Sequence, residues 1–187
     1  MLAWMGPERT HPQRPLVDMV RFVLSTRINL RVRNEKGLAY SAHATYVPAR
    51  TCGMFLAYAR TRKERLKDAV LALLGEVESM RTRMVPPKAM RYVKNYFANA
   101  LCHRFATCYD VLEQFVYIDH YGLGRDYFDR RLKAVQRAGC DDLMRVALMC
   151  VPRTGYVLVL VGDKEAAQEA AKVVPGEKEI NVLGDGK

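Results

Sequence analysis

The residues able to do chemistry are few and scattered. Four histidines, His11, His43, His103 and His120, occur in 187 residues. None falls in the His-Glu-x-x-His or His-x-x-Glu-His spacing that sets two imidazoles on one helical turn around zinc. His103 adjoins Cys102 and precedes Cys108 by five positions. Neighbouring residues on a helix point to different sides, so no metal is expected there. A Gly-x-Ser-x-Gly elbow, a Walker loop and a Gly-x-Gly-x-x-Gly turn are all absent. The five cysteines (Cys52, Cys102, Cys108, Cys140, Cys150) form no Cys-x-x-Cys pair, and their number is odd. That fits buried thiols of a reduced protein better than a disulfide scaffold, and leans toward the cytoplasm. The chain carries no self-sufficient catalytic signature.

The elements that would position any site can be read from periodicity. Leu2 to Met5 reads as a strand, stopped by Gly6-Pro7 and a proline-rich turn. Val17, Val20, Val23 and Leu24 recur at helical spacing, and helical character returns from Ile28 to Arg33. Arg31, Arg33 and Lys36 crowd the last turn, where cations suit the helix dipole, and Gly37 supplies a left-handed cap. Leu38 to Val47 then alternates, with Leu38, Tyr40, Ala42, Ala44 and Tyr46 on one face. A turn at Pro48 to Gly53 and a second strand, Met54 to Arg60, complete a hairpin. Thr61-x-x-Glu64 has the form of a capping box before a helix carrying Leu66, Val70, Leu73, Leu74 and Val77.

Pro86-Pro87 opens the next helix, with Met90, Val93, Phe97 and Leu101 facing inward. Shorter helices are expected from Asp110 to Tyr121, between Gly124 and Gly139, and from Asp141 to Cys150. The run Tyr156 to Val161 lacks alternation and so predicts a central strand covered on both faces. A helix near Lys164 to Lys172 and a short strand near Ile180 to Leu183 close the chain. With no repeat and no linker, the reading is one α+β domain over residues 1–187: a largely antiparallel sheet with several helices on one face. The longest apolar run is far below the roughly 20 residues a membrane helix needs, so no membrane partner is expected. No secretory signal is visible, and a periplasmic location would require an upstream signal since removed.

The formal charge of +10 comes from 30 basic and 20 acidic residues. Between Glu78 and Asp110 there is no acid, while Arg81, Arg83, Lys88, Arg91, Lys94 and Arg104 stand among Tyr92, Tyr96 and Phe97. One reading is a basic, aromatic face for nucleic acid or an acidic partner. The other is an amphipathic helix with a solvated basic side, and the helical period of the aromatics favours it.

The segment from Ser25 to Ser41 is the most informative. Thr26-Arg27-Ile28, Leu30 to Arg33 and Gly37-Leu38-Ala39-Tyr40-Ser41 resemble the C-terminal, non-zinc half of the pitrilysin/insulinase family of zinc peptidases, which includes mitochondrial processing peptidase. Gly6 to Pro12, Tyr121-Gly122-Leu123 and Val159 to Asp163 resemble further parts of that half. The resemblance implies two similar α+β halves closing around a peptide, with His-x-x-Glu-His in the half this chain lacks. It further implies an arginine and a tyrosine seven positions apart, here Arg33 and Tyr40, as substrate-binding residues, with no catalytic or metal-binding residue in this chain. A tyrosine hydroxyl so placed could donate to a developing oxyanion, and a guanidinium could hold backbone carbonyls or a carboxylate of the peptide.

The expected partners are therefore a zinc-bearing half, in the same precursor or a separate subunit, and a peptide, with pairing to a second copy where the true partner is absent. Zinc is expected only in the partner half, and the chain alone is expected to be inactive. The alternatives are a basic nucleic-acid or acidic-partner module, and an inactive peptidase relic. One departure from the family is local: Leu24 passes straight to Ser25-Thr26-Arg27, where a glycine-rich run is usual.

Overall fold

A computed structural model describes residues 1–174. Its sheet has the order β2-β3-β1-β4, with every pairing antiparallel. The strands are β1 (Leu2–Gly6), β2 (Ser41–Pro48), β3 (Gly53–Arg60) and β4 (Val157–Leu158). The helices are α1 (Arg14–Ile28), α2 (Leu66–Thr82), α3 (Pro87–His103), α4 (Cys108–Tyr121), α5 (Tyr127–Arg137), α6 (Cys140–Cys150) and α7 (Lys164–Lys172). This is the expected α+β arrangement. The strand expected near Ile180 lies outside the described residues.

Register explains why one face of the sheet is covered. Leu2 lies opposite Ala57, Trp4 opposite Phe55, Tyr46 opposite Phe55, and Ala44 opposite Ala57. All six are buried, because side chains alternate along each strand and these share one face. Trp4 stacks on Phe55 and donates its indole N–H to the Cys150 carbonyl, 2.8 Å away, tying α6 to the sheet. Helix α1 supplies Val17, Met19, Val20, Leu24 and Ile28 to the same core, all of them fully enclosed. The other face carries Met5, Val47 and Met54, which are exposed, and Leu56 and Tyr58, which are half-buried. Gly53 is confined by packing: a Cβ there would collide with the Tyr46 ring and the Pro7 carbonyl.

The apolar run after Tyr156 is an edge strand, and only Val157 and Leu158 pair with β1. Val157 is 62% exposed and Val161 91%. The inner positions belong to β3 and β1, so absence of alternation here marks an apolar edge and no two-sided burial. The cysteines are mostly not core thiols. Only Cys150 is buried, with burial pushing its thiol up to about 12, while Cys102 and Cys108 are exposed because the α3–α4 turn lies on the surface.

The Thr61-x-x-Glu64 box does not form either. Thr61 Oγ1 donates instead to the Leu38 carbonyl at 2.6 Å, and a short 3₁₀ turn, Lys63–Arg65, leads into α2 without a side-chain cap. The capping box is found at α4, where Thr107 and Asp110 exchange hydrogen bonds, with Gly122 (φ +61°) closing the helix. Among the described residues, no helix is long and apolar enough to cross a membrane.

Candidate functional site

The segment linking α1 to β2 is built as a rigid elbow. Helix α1 runs unbroken through Leu24-Ser25-Thr26, where the sequence suggests an interruption, and continues as a wider π-helical segment, Asn29–Glu35. Such segments are rare and concentrate at functional positions. Gly37, at φ +59°, turns the chain out of the helix. The amides of Gly37 and Leu38 then fold back onto the carbonyls of Arg33 and Val32, at 3.1 and 2.9 Å. Val32 and Leu38 are both buried and pin the bend from within.

The motif residues before the elbow bolt it in place. Ser25 Oγ accepts from the Ala44 amide at 3.2 Å, and Asn29 Nδ2 reaches the Ala42 carbonyl at 3.4 Å. Arg27 donates to the carbonyls of Ser79 and Arg83, at 3.0 and 3.1 Å, stapling α1 to the end of α2. Its conformation is thus set by α2, and its guanidinium is spent on structure.

Arg33 and Tyr40 emerge from this elbow, and both are exposed. Arg33 lies within the π segment with no side-chain partner among the described residues. Tyr40 breaks the alternation expected of its strand. Leu38 is buried and Ala42 is buried, yet Tyr40 is 61% exposed, because a bend at this position precedes the start of β2. The Tyr40 amide still donates to the Arg60 carbonyl at 2.9 Å, so its backbone is held by the hairpin.

Arg62, a residue the sequence reading passed over, completes the group. Its Nε donates to the Tyr40 hydroxyl oxygen at 2.6 Å, and its guanidinium carbon lies 5.6 Å from the ring centre. The hydrogen bond to Tyr40 raises the Arg62 guanidinium above its usual range. Because the phenol oxygen accepts in this bond, its own proton stays free to be donated. The signal was present in the hairpin register: Ser41 pairs with Arg60, so the two residues beyond Arg60 flank Tyr40.

Two cations of the basic stretch from Arg81 to Arg104 are engaged within the fold. Arg81 donates to the carbonyls of Val151 and Leu148, and Lys94 to the carbonyl of Gln136. Tyr92, Tyr96 and Phe97 gather around Phe22 of α1. Among the described residues no group of three His, Cys, Asp or Glu side chains could hold a metal ion.

Residues 1–97 match the family model of the peptidase M16 inactive domain. The chain belongs to that family. Solved structures agree with the M16 fold. A peptidase M16 inactive domain from Pseudomonas fluorescens matches with a TM-score of 0.77 at 18% identity, over 83% of this chain and 38% of that one. The inactive peptidase domain of a Bordetella parapertussis protein described as a zinc protease gives 0.68 at 17% identity, over 83% and 88%. A chain of complex III2 from Candida albicans gives 0.70 at 14%, over 83% and 40%. This M16 domain thus spans well under half of the Pseudomonas chain. No curated protein matches the sequence.

Proposed function

We propose that this M16 inactive domain is the noncatalytic, peptide-holding half of a zinc metallopeptidase, working beside a zinc-bearing half in the same precursor or in another subunit. The observation that carries this reading is the exposed Tyr40 hydroxyl, held on a rigid elbow and accepting from Arg62, with its proton uncommitted. An oriented donor of this kind suits an oxyanion that forms in a space closed by a second module. Arg33, exposed and without an ion-pair partner among the described residues, suits the carbonyls or a carboxylate of a bound peptide. The open, partly apolar face of the sheet, with Met5, Met54 and Val47, is the surface such a partner would cover.

Zinc in the partner half would supply the activated water. This chain orients and stabilises, and the described residues offer no ligand set for the ion. The test is reconstitution. The purified chain alone should hydrolyse no peptide, and hydrolysis should appear when a His-x-x-Glu-His half from the same organism is added. Peptide hydrolysis by the chain alone, together with stoichiometric zinc, would overturn the reading.

A further inference from the structure

The helical layer holds a second constellation that the peptidase reading does not use. Asp18 is buried on α1 and is bonded by two guanidinium groups. Arg14 Nε and Nη2 lie 3.1 and 3.0 Å from its oxygens, and Arg131 Nη2 of α5 lies at 2.6 Å. Burial alone would raise the Asp18 carboxyl, but Arg131 and Arg14 outweigh it and hold the group below the usual carboxylate range. Asp18 is therefore a saturated anion.

The cavity beside it, of about 110 Å³, is walled by Arg14, Arg21, Arg104 and Arg131, and Asp18 is its only acid. Four cations face one carboxylate. Arg21 and Arg104 have no acidic partner among the described residues. Arg14 Nη1 is enclosed and makes no hydrogen bond, although an enclosed guanidinium N–H normally finds an acceptor. Tyr127 also lines the wall, and burial raises its phenol so that it stays neutral. The wall offers many donors and positive charge but few acceptors.

A neighbouring cavity of about 120 Å³ shares Arg21, Phe97, Arg104 and Arg131 with the first. Its other walls change character: Ala100 and Leu101 of α3, and Leu132 and Val135 of α5. The result is a cleft with a cationic end and an apolar end, arginines standing at the junction. Planar guanidinium groups recognise carboxylate and phosphate through paired N–H donors.

We propose that this cleft between α1, α3, α4 and α5 binds a small amphiphilic anion, a carboxylate or phosphate head carried on a short apolar chain. The head takes the charge that Asp18 leaves uncompensated, carried by Arg21 and Arg104. The chain lies along Leu101, Leu132 and Val135.

Calorimetry on the full 187-residue chain tests this with acetate, inorganic phosphate, octanoate, octyl phosphate and neutral octanol as probes. Octanoate or octyl phosphate should bind at least about tenfold more tightly than acetate or phosphate, the gain from burying roughly two methylenes. Whichever of the two binds more tightly identifies the head group. Arg104 is exposed at the mouth and outside the Asp18 pairing, so Arg104→Ala should weaken the anion about tenfold without lowering Tm. Leu101→Asn should shrink the advantage of octyl phosphate over phosphate. Octanol binding as tightly as octanoate would overturn the proposal. So would octyl probes no tighter than their bare head groups, or an Arg104→Ala chain that binds as before. None of these readouts involves peptide hydrolysis, so a failure here is separable from a failure of the peptidase reading.

Discussion

Two arginine-rich regions of the molecule use the same side chain in opposite ways. In the helical layer, Arg14 and Arg131 are enclosed and their donors converge on buried Asp18. At the elbow, Arg33 and Arg62 stand in solvent, and the only side-chain acceptor that either reaches among the described residues is the Tyr40 oxygen. Enclosure decides the difference. A buried charge without partners is costly, so the helical layer must fix its arginines whatever they bind. An exposed guanidinium costs almost nothing to leave open, and so remains available to something that arrives later.

The sharpest way to break this contrast is to remove the buried acid. Asp18→Ala leaves two enclosed guanidinium groups without their counter-charge and should cost about 3–5 kcal/mol, read as a lower urea midpoint at unchanged m-value. The pH dependence follows from the same pair. The folded carboxyl lies below its unfolded value of about 3.9, so the pair's stability is complete above that pH and drains away as pH falls below it. A wild-type chain whose stability stays flat below pH 4, or an Asp18→Ala chain that loses stability there as steeply as wild type, would remove the argument.

At the elbow the equivalent change should leave the fold intact and act on turnover. In a reconstituted peptidase, Tyr40→Phe removes the donor and should cost about 2–4 kcal/mol in kcat, with KM little altered. Its urea midpoint should match that of the parent, because the ring is exposed and the hydroxyl accepts only from an exposed arginine. A large loss of stability in Tyr40→Phe would make the phenol a structural group and erase the distinction between the two regions.

A third change probes the platform beneath both. Gly53→Ala drives a methyl group into the Tyr46 ring and the Pro7 carbonyl, and overpacking of this kind costs about 1–3 kcal/mol. Tyr46 donates its hydroxyl to Pro7, and its ring lies 4.8 Å from the Arg14 guanidinium, so the damage should reach the helical layer before the elbow. Thermal unfolding followed near 280 nm reports it.

How much of this was legible in the sequence depends on the range of the interaction. Local patterns served well: the hairpin, the Gly37 cap, the proline start of α3 and the stripe Val17, Val20, Leu24 all lie within a few residues of their own cause. Tyr40 was found through a motif, but its exposure was not, because strict alternation cannot register a bend one residue ahead of a strand. Arg62 needed the hairpin register carried past its last pair. Asp18 was the hardest. On periodicity it is an interruption in an apolar stripe, and the partner that resolves it, Arg131, lies 113 residues away. The edge position of β4 was hidden for a related reason: composition records that a strand is apolar, and only topology decides which strand sits in the middle.

The smallest expected effect sharpens the comparison most directly. Arg62→Ala and Arg131→Ala each delete one guanidinium that donates a 2.6 Å hydrogen bond to an oxygen. Bond length alone would predict equal losses. Surroundings predict otherwise: the Arg62 pair is exposed, screened by water and salt, and should contribute little. Arg131 shares a buried carboxylate, and its loss strands part of that charge at several times the cost. The stability loss of Arg62→Ala should fall further in high salt, whereas that of Arg131→Ala should barely respond. In the reconstituted enzyme, Arg62→Ala should also lower kcat by a small factor, since Tyr40 would keep its proton but lose the partner that orients it. Equal stability losses in the two variants would mean that enclosure does not separate these regions, and the division of labour between them would have to be abandoned.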